Sequence, residues 1–196
     1  DKFGEIWIGT YGGGLNRLDQ KTGSIKRYQH DPNDSTSLSN NGIRSIFLDS
    51  GGNLWIGTEE GLNLFDDKSE TFLHYFPDKK NPNSISGKVV SSIMESKDKN
   101  LWFGTENQGL NRFDQEQKAF TRYHYTARQS KHRDVQPIYA IYEDEINNFW
   151  LLHEASATYF DRTQNEFQQY DVDYTDMGID QLNNIIIETR EKLLVN

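Results

Sequence analysis

Leu54-Trp55-Ile56-Gly57-Thr58-Glu59-Glu60-Gly61-Leu62-Asn63-Leu64-Phe65-Asp66 is the stretch that decides the fold of this chain. An apolar run centred on a tryptophan meets a short acidic turn, and a second apolar run closes on an aspartate. The same word returns as Leu101-Trp102-Phe103-Gly104-Thr105 then Gly109-Leu110-Asn111-Arg112-Phe113-Asp114. It also stands earlier, as Ile6-Trp7-Ile8-Gly9-Thr10 then Gly14-Leu15-Asn16-Arg17-Leu18-Asp19. Trp7, Trp55, Trp102 and Trp150 are separated by 48, 47 and 48 residues, and they are all the tryptophans there are. Three further series keep that step. Asp19, Asp66, Asp114 and Asp161 each end an apolar run; Tyr28, Tyr75, Tyr123 and Tyr170 each lie three residues after Ile25, Phe72, Phe120 and Phe167; and Ile46, Ile93 and Ile141 each lie nine before a tryptophan, as Ile186 does before Val195. Four series in phase define an internal repeat, which outranks every other sequence signal.

Each period divides into four short strand-like runs. In the second, Ile43 to Leu48, Leu54 to Thr58, Leu62 to Phe65 and Thr71 to Phe76 are apolar, β-branched or aromatic, and Gly, Asn, Asp and Ser separate them. That pattern predicts an antiparallel meander, and no stretch keeps a 3.6-residue apolar period that would argue for helix. Four strands in 40 to 50 residues make a β-propeller blade. The fold expected is all-β: about four blades, a fragment of a larger propeller. The blades fall at about 1–30, 42–77, 89–125 and 137–172, and a further first strand at about 184–196 belongs to another or a ring-closing blade. The chain opens on a second strand and ends on a first, so those ends complete one mixed blade, meet a second copy, or pair as open edges.

The tryptophan word and its Gly-Leu-Asn continuation resemble the two-component regulator propeller repeat of the periplasmic sensor regions of hybrid two-component histidine kinases. The linkers share the resemblance: Asp31-Pro32-Asn33 leads to Ser37-Leu38-Ser39, and Asn81-Pro82-Asn83-Ser84-Ile85-Ser86 repeats the pattern. The resemblance is strong in three repeats. The fourth departs, with Leu152, His153, Ser156, Ala157 and Thr158 where the second has Gly57, Thr58, Gly61, Leu62 and Asn63. It implies a periplasmic module that senses a ligand, an oligosaccharide above all, and signals to a membrane-coupled kinase outside this chain. It also implies seven-bladed rings, so that other blades or a second copy are expected partners. A propeller lyase or glycoside hydrolase, and a protein-interaction scaffold, are the alternatives.

Composition narrows the function classes. The absence of cysteine removes disulfides, thiolate metal sites and cysteine nucleophiles. A net charge of −9 argues against a nucleic-acid partner, which needs clustered Lys and Arg. No run reaches the length of a membrane span, so no direct membrane contact is expected of this segment. The five histidines (His30, His74, His124, His132 and His153) lack HExxH or paired-ligand spacing, and no EF-hand spacing occurs among the acids. Tyr11-Gly12-Gly13-Gly14 lacks both the GxGxxG spacing and the following helix of a phosphate loop. No cofactor, metal or catalytic residue is expected, and the chain itself reads as a non-enzyme.

In an up-and-down blade the loop between strands two and three shares an end with the linker to the next blade. That end is expected to carry function, because the linkers there, 30–42, 77–88, 124–136 and 171–183, are long. The ligand-binding candidates are Tyr11, Asn41, Arg128, Arg133 and His153. Tyr11, like Tyr125, offers a ring to stack on a sugar. Arg128, Lys131, His132 and Arg133 form a basic cluster in an acidic protein, suited to gripping a uronate or sulfate group in bidentate fashion. Asn16, Asn63 and Asn111 recur blade by blade and are expected to anchor turns through bonds from side chain to backbone.

Overall fold

The computed structural model describes residues 4–124, 136–154 and 156–171. Their strands form four separate antiparallel sheets in strict chain order. The first holds β1 (Glu5–Thr10), β2 (Gly14–Asp19) and β3 (Ile25–Tyr28). The second holds β4 (Ile43–Leu48), β5 (Leu54–Thr58), β6 (Gly61–Asp66) and β7 (Thr71–Tyr75). The third holds β8 (Val90–Glu95), β9 (Leu101–Thr105), β10 (Gly109–Asp114) and β11 (Ala119–Tyr123). The fourth holds β12 (Ala140–Glu143), β13 (Phe149–Leu152), β14 (Ser156–Asp161) and β15 (Glu166–Asp171). No helix occurs among the described residues. These are propeller blades; among the described residues the first has three strands, the counterparts of the second to fourth strands of the others. The strand expected at 184–196 lies outside the described residues.

The aspartate series has a local cause. Asp19 Oδ1 accepts the N–H groups of Lys21 and Thr22, Asp114 Oδ1 those of Glu116 and Gln117, and Asp161 Oδ1 those of Thr163 and Gln164. Each aspartate thus caps the turn between the third and fourth strands. The turn ends in the left-handed region in all four blades, at Gly23 (φ 71°), Glu70 (φ 55°), Lys118 (φ 54°) and Asn165 (φ 56°), where the short loop rejoins the outer strand. Backbone donors, first among them the Lys21 N–H at Asp19 and the Gln164 N–H at Asp161, hold both carboxyls below their ordinary range.

The core lies between the sheets. Trp7 meets Phe65 at 5.1 Å between ring centroids, Trp55 meets Phe113 at 5.3 Å, and Trp102 meets Phe149 at 4.8 Å, all edge-on. One face of each of the first three blades therefore offers its tryptophan and tyrosine to the leucine, isoleucine and phenylalanine rows of the next. Each ring pair contributes about 0.5–1.5 kcal/mol beyond the area it buries, which is how a chain lean in aliphatic residues builds a core. The two outer faces obey a different rule. Ile6 and Ile8 of β1 are 42% and 41% exposed, whereas their counterparts Leu54 and Ile56 are 6% and 0% exposed. Trp150, at the far end, packs on Tyr159 and Tyr170 of its own blade.

Candidate functional site

The loops between second and third strands do share an end with the linkers, and backbone bonds tie the two together. Gly12 N–H and Gly14 N–H both donate to Asn41 O at 3.0 Å, Gly61 N–H to Lys88 O at 2.6 Å, and Glu106 N–H to Val89 O at 3.0 Å. Gly14 is required to be glycine: its φ is +79°, and a Cβ there would lie 2.3 Å from Tyr28 O.

The first two linkers are also straps, each lying across the blade it enters. Ser37 Oγ donates to Asp31 O and Asp34 O and accepts the Asp31 N–H; Ser84 Oγ repeats this with Asp78 and Asn81. The straps then pair with the outermost strand, Phe72 N–H donating to Thr36 O and Phe120 N–H to Asn83 O. Further inward the asparagine series takes hold. Ser39 N–H donates to Asn63 Oδ1 at 2.9 Å, and Asn63 Nδ2 donates to Ser39 Oγ at 2.8 Å and Ile56 O at 3.3 Å. Asn111 does the same with Ser86 and Phe103. The two linkers superpose through Asp31, Asp34 and Ser37 on Asp78, Asn81 and Ser84. The two Pro-Asn pairs that look alike in sequence are therefore offset by three residues: Pro32 comes after the first anchor and Pro82 after the second.

His153 stands in the fourth blade's version of this clamp. It is 5% exposed, its Nδ1 is 3.0 Å from Pro137 O, and its Nε2 is 3.0 Å from Thr158 Oγ1. His153 and Thr158 occupy the positions of Thr58 and Asn63, so the departure seen in the fourth repeat is a paired exchange that still holds the incoming linker. Burial presses the His153 pKa below its ordinary value, against the pull of the Pro137 carbonyl. A base held neutral in the fold contributes stability above its unfolded pKa of about 6.5, and that contribution is lost as pH falls through the lower folded value. The unfolding midpoint is expected to drop between pH 7 and pH 5, and His153→Gln to flatten that slope. An unchanged slope in a denaturant series at both pH values would count against this role.

Tyr11 is 73% exposed, and its ring lies under the Arg44 guanidinium at 5.1 Å. Arg44 Nη2 is fixed by Glu59 Oε1 at 2.7 Å. Tyr11 also forms a bridge with Gly42, next to Asn41. The Asn41 side chain is committed to the linker, its Oδ1 accepting the His30 N–H at 2.8 Å. The structure thus gathers Tyr11, Asn41, Arg44 and Glu59 at the junction of the first two blades. Glu60 is ion-paired with Lys88 at the next junction. There a pocket of about 510 Å³ opens, lined by Lys79, Lys88, Glu106, Asn107 and Gln108. Arg128 and Arg133, with Tyr125, Lys131 and His132, lie outside the described residues. Arg44 is missed by motif reasoning because it sits inside a strand. Its signal is a lone cation within the otherwise uncharged run Ile43 to Leu48. No group of three or more His, Asp or Glu side chains suited to a metal occurs among the described residues.

Residues 37–60 and 84–107 each match the family described as two component regulator propeller. A segment of 56 residues, 29% of the chain, is 38% identical to histidine kinase P4 of Formosa agariphila and spans 4% of that protein. Of the solved structures, the extracellular domain of the hybrid two component system BT3049 from B. thetaiotaomicron superposes with a TM-score of 0.66 at 24% identity. The match covers 84% of this chain and 21% of that one. The WD40 repeats of RRP9 superpose with a TM-score of 0.56 at 8% identity, over 85% of this chain and 47% of theirs. Both likenesses bear on the fold, and both place it among propellers. The chain spans less than half of each relative.

Proposed function

Because this chain carries two-component regulator propeller repeats at residues 37–60 and 84–107, we propose that it is the ligand-sensing part of an extracytoplasmic propeller, and that it recognises an oligosaccharide at its strapped end. The observation that carries the ligand class is the Tyr11–Arg44–Glu59 arrangement. An exposed ring offers a stacking surface for the C–H face of a sugar, and a guanidinium held by one carboxylate keeps donors for hydroxyl or carboxylate oxygens. The clamped straps hold this surface still, so little ordering cost is spent on binding. Signal transfer to a membrane-coupled histidine kinase results if the ligand binds one arrangement of the blades better than another, since a ligand shifts an equilibrium only by its differential affinity. Glu59 and Glu60 are each neutralised by a cation, an arrangement suited to holding a ligand more than to proton transfer. The test is calorimetric titration with neutral and acidic oligosaccharides. Tyr11→Ala and Arg44→Ala are each expected to weaken binding of the recognised sugar at least tenfold while the fold survives. Full affinity in both variants would sink the site, and release of new reducing ends or unsaturated products would replace the sensor with an enzyme.

A further inference from the structure

The repeat makes each junction between blades a control for the others, and at one junction the acids that surround the arginine opposite the tryptophan are replaced. At the first, Arg17 projects beside Trp7 and is surrounded by carboxylates: Asp67 Oδ1 at 2.9 Å, Glu70 Oε1 at 3.1 Å and Glu5 Oε1 at 3.6 Å. Arg112 stands at the same register position in the third blade, opposite Trp102 as Arg17 is opposite Trp7. The residues equivalent to Glu5, Asp67 and Glu70 are there Asn100, Arg162 and Asn165. Three acids have become two amides and a second cation. Among the described residues, Arg112 makes no ion pair and no side-chain hydrogen bond.

Space has opened around it. A groove of about 830 Å³ between the third and fourth blades is lined by Arg112, Lys97, Thr121, Tyr123, Thr163 and Asn165, together with Arg162 and Asp98. It opens at the turn end of the blades, away from the straps. Its acids are already committed. Arg162 spans Asp98 and Glu143, and its guanidinium lies over the Phe149 ring at 4.8 Å. Burial would raise the Asp98 pKa, but Ser96 Oγ, Arg162 and Asn100 hold it at about 2. Both carboxylates are thus paired with Arg162, and Arg112 is left as an unneutralised fork facing hydroxyl and amide donors.

We infer that this groove is an oxyanion site: Arg112 takes a carboxylate or sulfate group in the place of the carboxylates that Arg17 holds internally, and Thr121, Thr163 and Asn165 supply further donors. The planar guanidinium suits bidentate capture of either group. This site is independent of the strapped end, so the two are separable. The experiment titrates the full chain with inorganic sulfate and with free glucuronate at constant ionic strength, which distinguishes a sulfate from a carboxylate ligand. Saturable binding of at least one is expected, and Arg112→Ala should weaken it at least tenfold. Asn165→Glu, which restores the acid that Glu70 provides to Arg17, should weaken it as much by filling the site from within. Tyr11→Ala should leave it unchanged. No saturable binding of either anion, or binding that survives either of the two groove variants, would overturn the assignment.

Discussion

Asn63→Leu is expected to lower the unfolding free energy by about 3 kcal/mol, among the largest losses available to a single polar substitution in this chain. Asn63 is 0% exposed and joins the incoming strap to the blade through three bonds, to Ser39 N, Ser39 Oγ and Ile56 O. Leucine is close in volume but strands the Ser39 N–H in the interior, and each buried group left without a partner costs about 1–3 kcal/mol. Asn16 supplies the comparison. Its Oδ1 accepts Arg27 Nε at 3.2 Å and its Nδ2 makes longer bonds, 3.3 Å to Ile8 O and 3.4 Å to Gly14 O. No strap among the described residues crosses it, so Asn16→Leu should cost about 1 kcal/mol. Urea unfolding of the full chain measures both. Equal costs at the two positions would mean that the asparagine serves its own blade and that the strap is incidental.

The sequence discloses most where the structure is periodic. The aspartate series does one job in every blade, and the tryptophan, tyrosine and asparagine series one job in most of them, so the job repeats and so does the letter. The ends of Ile43–Leu48 and Leu54–Thr58 are legible to the residue, because Asp49 to Asn53 and Glu59-Glu60 are turn chemistry set against apolar strands. Elements whose chemistry is shared between two residues are harder to read. His153 with Thr158 performs the work of Thr58 with Asn63, and a single sequence displays two departures where the structure contains one exchange. The Pro-Asn pairs mislead for a related reason. Proline needs only a compatible φ and is tolerated at several points of a turn, whereas the strap is fixed by where Asp31, Asp34 and Ser37 place their oxygens. At the candidate site, Tyr11 is visible as an aromatic in a glycine loop. Arg44 is hidden in an apolar strand, and its value arises only when the first blade's ring is brought over the second blade's inner strand. The neutralised state of Arg17 and the bare state of Arg112 depend on partners about 50 residues away, and only alignment of the junctions exposes the difference.

Gly57→Ala is expected to cost about 2–3 kcal/mol, as overpacking does when a methyl meets atoms that cannot retreat. A Cβ at Gly57 would lie 2.2 Å from Ser45 Oγ and 2.3 Å from Val90 O, the latter a main-chain atom of the next blade. Ser45 Oγ donates to that same carbonyl at 3.1 Å. The glycine is therefore the gap through which one blade's inner strand reaches the entry of its neighbour. The third blade repeats the device, with Ser92 Oγ donating to Ile138 O at 2.7 Å and a Cβ at Gly104 falling 2.2 Å from Ser92 Oγ and 2.7 Å from Ile138 Cβ. In the fourth blade Ala140 pairs with Leu152 at this register, so both halves of the device are gone there. The double variant Ser45→Ala with Gly57→Ala decides which atom sets the cost. Removing the hydroxyl relieves the first clash and leaves the second, so the double variant should be no more stable than Gly57→Ala alone. Recovery toward the stability of Ser45→Ala in thermal unfolding would show that the side chain, and not the neighbouring blade's backbone, is the barrier. Failure to recover means that the spacing of the second and third blades is set by main chain packed against a bare Cα.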